Sequence, residues 1–227
     1  MSTLRQIGFL VRKDLRIELR KKESLVSMAF FGVLVLVTLS IAVGGGRRVP
    51  PETGAGILWV AVLFSGVLGL GRVFAREREN GCVAALLVSP VSPSSVFVAK
   101  GLVNLTLMIL SQVVLVPVFF ALFGQGLTGG ITAVALPLVF LDVAFSSAGT
   151  LLSAVAAGTR RNEVLLPILL FPLLLPVVVL GVKASGAALA GAGAAAQGSV
   201  TLEPLVAFCA IYTVAGYLLF PFAAREV

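Results

Sequence analysis

Apolar residues along the chain gather into six long runs, at 25–43, 55–75, 96–123, 131–157, 163–181 and 204–223, and most charged residues fall between them. A hydrocarbon core of about 30 Å is crossed by about 20 helical residues. Each run meets that length, so the pattern predicts an all-α integral membrane protein with six transmembrane helices. Ahead of the first run, Leu4, Ile7, Leu10, Val11, Leu15 and Leu19 recur at helical spacing, interleaved with Arg5, Arg12, Lys13, Arg16, Arg20, Lys21 and Lys22. This predicts an amphipathic interfacial helix over residues 1–24, its apolar face toward acyl chains and its basic face toward anionic headgroups. A cleavable signal peptide is not expected, because the polar lead is long and no small-residue cleavage site follows the first apolar run. Residues 25–227 then form one membrane domain.

Prolines divide the spans. Pro117 and Pro137 each interrupt a long run, and the fifth run carries Pro167, Pro172 and Pro176. Each removes a backbone donor and disfavours a straight helix, so the fifth span is expected to be kinked. Residues 181–203 are poor in large apolar side chains, yet Ala184 to Ala196 is rich in Ala and Gly and suited to close packing. A re-entrant or interfacial hairpin on the outer face is expected there, with a flexible loop as the alternative.

Between the second and third spans the chain reads Arg76-Glu77-Arg78-Glu79-Asn80-Gly81-Cys82-Val83-Ala84-Ala85-Leu86-Leu87-Val88-Ser89-Pro90. Val83, Leu86 and Leu87 make one stripe at helical spacing, and Pro90 ends it. Ser92-Pro93 has the form of an N-cap followed by proline at the first helical position. A short helix at about 76–92 with an apolar stripe is suited to helix-in-groove docking on a partner. Tucking of the same stripe against the chain's own bundle is the competing explanation.

Composition agrees with the pattern: 59% of residues are hydrophobic and 12% charged, with a mean hydropathy of +1.10, whereas soluble domains are about half apolar and a quarter charged. The net charge of +7 would suggest nucleic acid in a soluble protein, but no aromatic-interleaved basic surface accompanies it, and no nucleic-acid partner is expected. The charges instead orient the bundle. With the amino terminus in the cytoplasm, the basic lead, Arg72, Arg76, Arg78, Lys100, Arg160, Arg161 and Arg225 lie inside, and only Arg47, Arg48 and Lys183 lie outside. The positive-inside rule therefore puts both termini in the cytoplasm.

Little catalytic chemistry is present. The sequence has no GxxxxGK[ST], HExxH or GxSxG, and no histidine. Cys82 and Cys209 are far apart and fit no metal or haem-attachment spacing, so both are expected to be packing residues. Asp142 stands near the middle of the fourth span, where a charged carboxylate costs about 2.5–3.5 kcal/mol on insertion scales. It should face the bundle interior, as a proton or polar-substrate contact, a hinge-side switch, or a protonated or hydrogen-bonded interhelical tie, with Ser146 and Ser147 one turn away. Arg72, Glu163 and Glu203 sit near span edges, where snorkelling and interfacial solvation account for them. Trp59, near the start of the second span, has the position of an outer interfacial anchor.

The stretch from Glu77 through Gly81 and Leu86-Leu87 to Ser89-Pro90, with Lys100 beyond it, resembles the signature of ABC-2-type exporter permeases of the type V kind. Arg12-Lys13-Asp14-Leu15-Arg16-Ile17-Glu18-Leu19-Arg20 and Gly56-Ile57-Leu58-Trp59-Val60 extend the resemblance to the CcmB family, permeases of the cytochrome c maturation haem-handling transporter. The resemblance implies that segment 76–92 is a coupling helix docking on a separate ABC ATP-binding subunit. Its contact region would be Glu77, Glu79, Gly81, Leu86, Leu87 and Pro90. It also implies a haem-handling membrane subunit, a second permease copy and a bacterial inner-membrane location. ATP would be bound by the partner, and no cofactor by this chain. Haem would be cargo ligated elsewhere, because its iron is usually held by His, Met, Cys or Tyr. This chain offers only Met1, Met28, Met108, Cys82, Cys209, Tyr212 and Tyr217. An ABC-2 permease for a lipid, polysaccharide or drug, or a membrane scaffold, is the alternative.

Overall fold

The computed structural model describes residues 3–45, 49–73, 92–126, 130–157, 162–191 and 202–223. Among these, seven helices follow one another: α1 (Thr3–Lys21), α2 (Glu23–Ala42), α3 (Pro51–Val73), α4 (Pro93–Phe123), α5 (Ile131–Ala157), α6 (Asn162–Leu189) and α7 (Glu203–Ala223). All but α1 are long and apolar enough to cross a membrane, which makes the chain a multi-pass helical membrane protein. The amphipathic α1 is separated from α2 by Lys22, whose left-handed φ of 57° turns the chain. A non-glycine residue in that region costs about 1–2 kcal/mol, and the helices on both sides recover the backbone bonds, with Lys22 N–H donating to Glu18 and Lys22 O accepting from Val26.

Helices α3 and α5 are central. About two-thirds of each span is buried, 67% and 61%, against 22% for α2 and for α7. Helix α3 packs against α2, α4 and α6, and α5 against α4, α6 and α7. The peripheral helices keep a large apolar face exposed, including Val26, Phe30 and Ile41 on α2 and Ile211, Val214 and Leu218 on α7. In water such faces would be untenable; against acyl chains they cost nothing.

Two parts of the sequence-based picture are revised. Helix α6 contains Pro167, Pro172 and Pro176 and runs to Leu189, beyond the expected end at 181. The first part of the expected outer hairpin is therefore span; its remainder, residues 192–201, lies outside the described residues. The physical reason is packing of small residues, which lets helix backbones approach closely. Gly181, Ala184, Ser185, Gly186 and Ala188 are buried, and a Cβ on Gly186 would come within 3.1 Å of Glu52 Cα in the first turn of α3.

The second revision concerns Trp59. Its side chain is fully buried rather than anchored at the membrane surface, and its indole N–H donates to Ser185 Oγ at 3.0 Å. The ring lies over Gly181, where a Cβ would fall 1.6 Å from the ring edge. The expected hairpin and the expected anchor thus form one contact between α6 and α3.

Candidate functional site

The expected contact residues Glu77, Glu79, Gly81, Leu86, Leu87 and Pro90 lie outside the described residues. The two ends of their segment are described. It leaves α3 after Val73 and joins α4 at Ser92, and α3 and α4 pack on one another. Ser92 caps α4 as its residue type suggests: its backbone is extended, its Oγ accepts from Ser95 N–H at 3.3 Å, and Pro93 takes the first helical position. The cap satisfies one orphan donor and proline removes another, so the exit from the segment has a defined direction.

Two turns into α4, Lys100 Nζ donates to Asp14 Oδ2 of α1 at 2.8 Å. Both side chains are largely buried, with exposures of 8% and 13%, and Lys13 adds a second contact to Asp14 Oδ1 at 3.1 Å. This ion pair clamps the amphipathic helix onto the helix that begins where the 74–91 segment ends. Sequence reasoning treated Lys100 as an orienting charge and missed its partner. The available signal was Asp14 itself, an acid at the apolar edge of a helix otherwise rich in Arg and Lys. Glu18, one turn further along α1, is buried as well.

A small apolar core surrounds this end of the bundle. Val96 and Phe97 of α4, Ala154 of α5 and Phe220 of α7 are buried together, with Leu10 of α1 packed against them. The Phe97 and Phe220 rings lie 5.5 Å apart. Phe97 also lies against Gly216, where a Cβ would come within 2.4 Å of its ring. Four helices thus meet around the first turns of α4. A displacement of those turns must repack all of them, because close-packed interiors do not deform continuously.

Deeper in the bundle, Asp142 is fully buried, as expected for a carboxyl in a span. Its partner is Gln112 of α4, whose Nε2 donates to Asp142 Oδ1 at 2.7 Å. Ser146 and Ser147, one turn along the same helix, bond elsewhere: Ser146 Oγ donates to the Gly101 carbonyl, and Ser147 Oγ is 3.0 Å from Thr213 Oγ1. Asp142 is thus hydrogen-bonded across the α4–α5 interface, the interhelical tie among its expected roles. Asp142→Asn keeps an acceptor for Gln112 and is expected to change stability by less than about 1 kcal/mol. Asp142→Leu strands a buried amide donor at a cost of about 1–3 kcal/mol. Thermal unfolding in detergent would distinguish them, and equal losses would mean that the Gln112 bond is not what holds this contact.

Of the possible haem-iron donors among the described residues, Tyr217 is exposed and the others are buried or hydrogen-bonded. Met28 and Met108 are buried in the apolar core. The Cys209 thiol donates to the Phe140 carbonyl at 3.0 Å and Tyr212 donates to the Leu173 carbonyl. Among the described residues, no three His, Cys, Asp or Glu side chains converge as a metal site.

Comparison with known proteins agrees with this architecture. The chain matches the family described as CcmB protein over residues 5–226. It is 31% identical to Heme exporter protein B of Paracoccus denitrificans, an alignment covering 95% of this chain and 94% of that protein. Heme exporter protein B of Rhodobacter capsulatus is 30% identical over 70% of this chain and 73% of its own length. The Pseudomonas aeruginosa protein of the same name is 26% identical over 72% and 73%. A match that takes in α1, all six spans and the segment between α3 and α4 places this chain in the CcmB family.

Proposed function

We propose that this chain is the membrane permease of a haem-export complex serving cytochrome c maturation, and that it converts motion of a separate ATP-binding subunit into haem movement or release of a haem-loaded chaperone. It sits in the bacterial inner membrane with both termini in the cytoplasm. The observation that carries this reading is the family match through the whole bundle, together with the Asp14–Lys100 clamp beside the exit of segment 74–91. The ATP-binding subunit docks on Glu77, Glu79, Gly81, Leu86, Leu87 and Pro90. Movement there enters α4 at the Ser92 cap and reaches α1, α5 and α7 through the Phe97–Phe220 core. A haem-handling membrane subunit supplies the iron ligands, and a second permease copy completes the pair of docking surfaces.

The test begins with purification in mild detergent. An ATP-binding subunit is expected to co-purify with the wild-type chain, and Leu86→Glu with Leu87→Glu is expected to weaken that association at least ten-fold, since an unpaired charge forced into an apolar contact costs about 3 kcal/mol or more. The same variant should abolish c-type cytochrome formation in a deletion strain while the chain itself accumulates. Retained association in the double variant would remove segment 76–92 from the docking surface. Normal cytochrome c levels in the deletion strain would show that the cargo is not haem for this pathway.

A further inference from the structure

Helix α1 does more than lie against the bundle. Along α1 runs an open groove of about 810 Å³, lined by Leu4, Val11, Leu15 and Leu19 of α1 and closed on the α4 side by Leu102 alone. Arg12, Arg16 and Arg20 follow one another at four-residue spacing along its rim and are exposed. Among the described residues, none of these three arginines forms an ion pair. Gly8 forms part of the groove, and a Cβ placed there would meet nothing within 4 Å. The groove opens onto the face of α4 where Leu102, Ile109 and Val113 are exposed in line. That is one continuous helical stripe facing acyl chains.

We infer that this groove is a discrete binding site for one anionic phospholipid, with an acyl chain lying between α1 and α4 and the headgroup phosphate held by Arg12, Arg16 and Arg20. Two features commit the occupant. The apolar walls continue into the lipid-facing stripe of α4, so the occupant must continue into the bilayer as a chain does. The rim presents only positive charge from α1, which complements a phosphate and favours an anionic over a zwitterionic headgroup. A charged helix lying on a membrane attracts anionic lipids diffusely; here the Asp14–Lys100 pair fixes α1 against α4, so the groove along α1 keeps its place beside Leu102. This inference rests on the membrane fold and not on the transport role.

Native mass spectrometry of the full chain, released from micelles containing phosphatidylglycerol or phosphatidylcholine, tests it. One phosphatidylglycerol is expected to remain bound at concentrations where phosphatidylcholine does not. Arg12→Gln, Arg16→Gln and Arg20→Gln are each expected to weaken retention about five-fold, and the three together by more than a hundred-fold. The decisive variant is Gly8→Phe, which leaves every charge in place and sets a ring into the groove at a position where a Cβ meets nothing within 4 Å. It is expected to lose the bound lipid while keeping the elution volume and thermal midpoint of the wild type. Undiminished phosphatidylglycerol retention in Gly8→Phe would reduce the arginines to a diffuse surface charge and overturn the site. Equal retention of phosphatidylcholine, or no effect of the triple substitution, would overturn it equally.

Discussion

Replacing Asp14 with leucine is expected to destabilise the protein by about 3 kcal/mol, near the lower end of the cost of breaking a buried ion pair by removing one partner. The Lys100 side chain, 8% exposed, would lose the carboxylate at 2.8 Å. Lys100→Met should cost less, because Asp14 keeps its contact to Lys13 at 3.1 Å. Replacing both, as Asp14→Leu with Lys100→Met, should recover most of the stability, since an apolar pair of similar volume is often neutral or better than a buried ion pair. Thermal unfolding of the four proteins in one detergent gives the cycle. Recovery in the double variant separates the two roles of the pair. If the clamp only holds α1 in place, c-type cytochrome formation should return with stability. If charge at this position is needed for transmission, stability returns and activity does not. No loss in either single variant would mean that the Asp14–Lys100 pair is not what holds α1 in place.

The second large effect is expected at Trp59. Trp59→Ala should cost about 3–5 kcal/mol through the cavity left by a fully enclosed aromatic, with the Ser185 hydroxyl losing its donor in addition. Gly181→Ala should be destabilising from the opposite direction, because its new Cβ would lie 1.6 Å from the indole, and overpacking costs about 1–3 kcal/mol. Combining Gly181→Ala with Trp59→Leu should cost less than the sum of the single losses, since the smaller side chain makes room for the methyl group; interaction energies between touching residues are about 0.5–3 kcal/mol. Strict additivity would place the indole away from Gly181. An exposed interfacial Trp59 would predict almost no effect from any of the three changes, so the series also separates the buried position from the surface anchor suggested by sequence.

Much of the fold was readable because the membrane imposes strong rules. Six apolar runs of sufficient length became six spans, because every backbone polar group in hydrocarbon must be satisfied within its own helix. Helix α1 was readable from its three- and four-residue periodicity, and the start of α4 from Ser92-Pro93, because capping is local chemistry. Burial of Asp142 followed from the cost of exposing a carboxyl to lipid. None of these expectations required knowing which helix neighbours which.

The expectations that failed all concern neighbours. Trp59 has the composition and position of an interfacial anchor, and only the approach of Gly181 and Ser185 on α6 draws it into the interior. The Ala- and Gly-rich stretch after residue 181 looked too weakly hydrophobic for a span, but small side chains suit a helix whose partner is another helix rather than lipid. The partner that ties Asp142 to another helix, Gln112 of α4, could not be read from spacing along its own helix. The pairing of Asp14 with Lys100 joins residues far apart in the chain and leaves no periodic trace. Hydropathy and local caps, which depend on each segment's own exchange with lipid and water, were determined by the sequence alone. The α1–α4 clamp, the Trp59 socket and the groove beside Arg12, Arg16 and Arg20 were decided only by the tertiary structure, because each exists where side chains from separate helices meet.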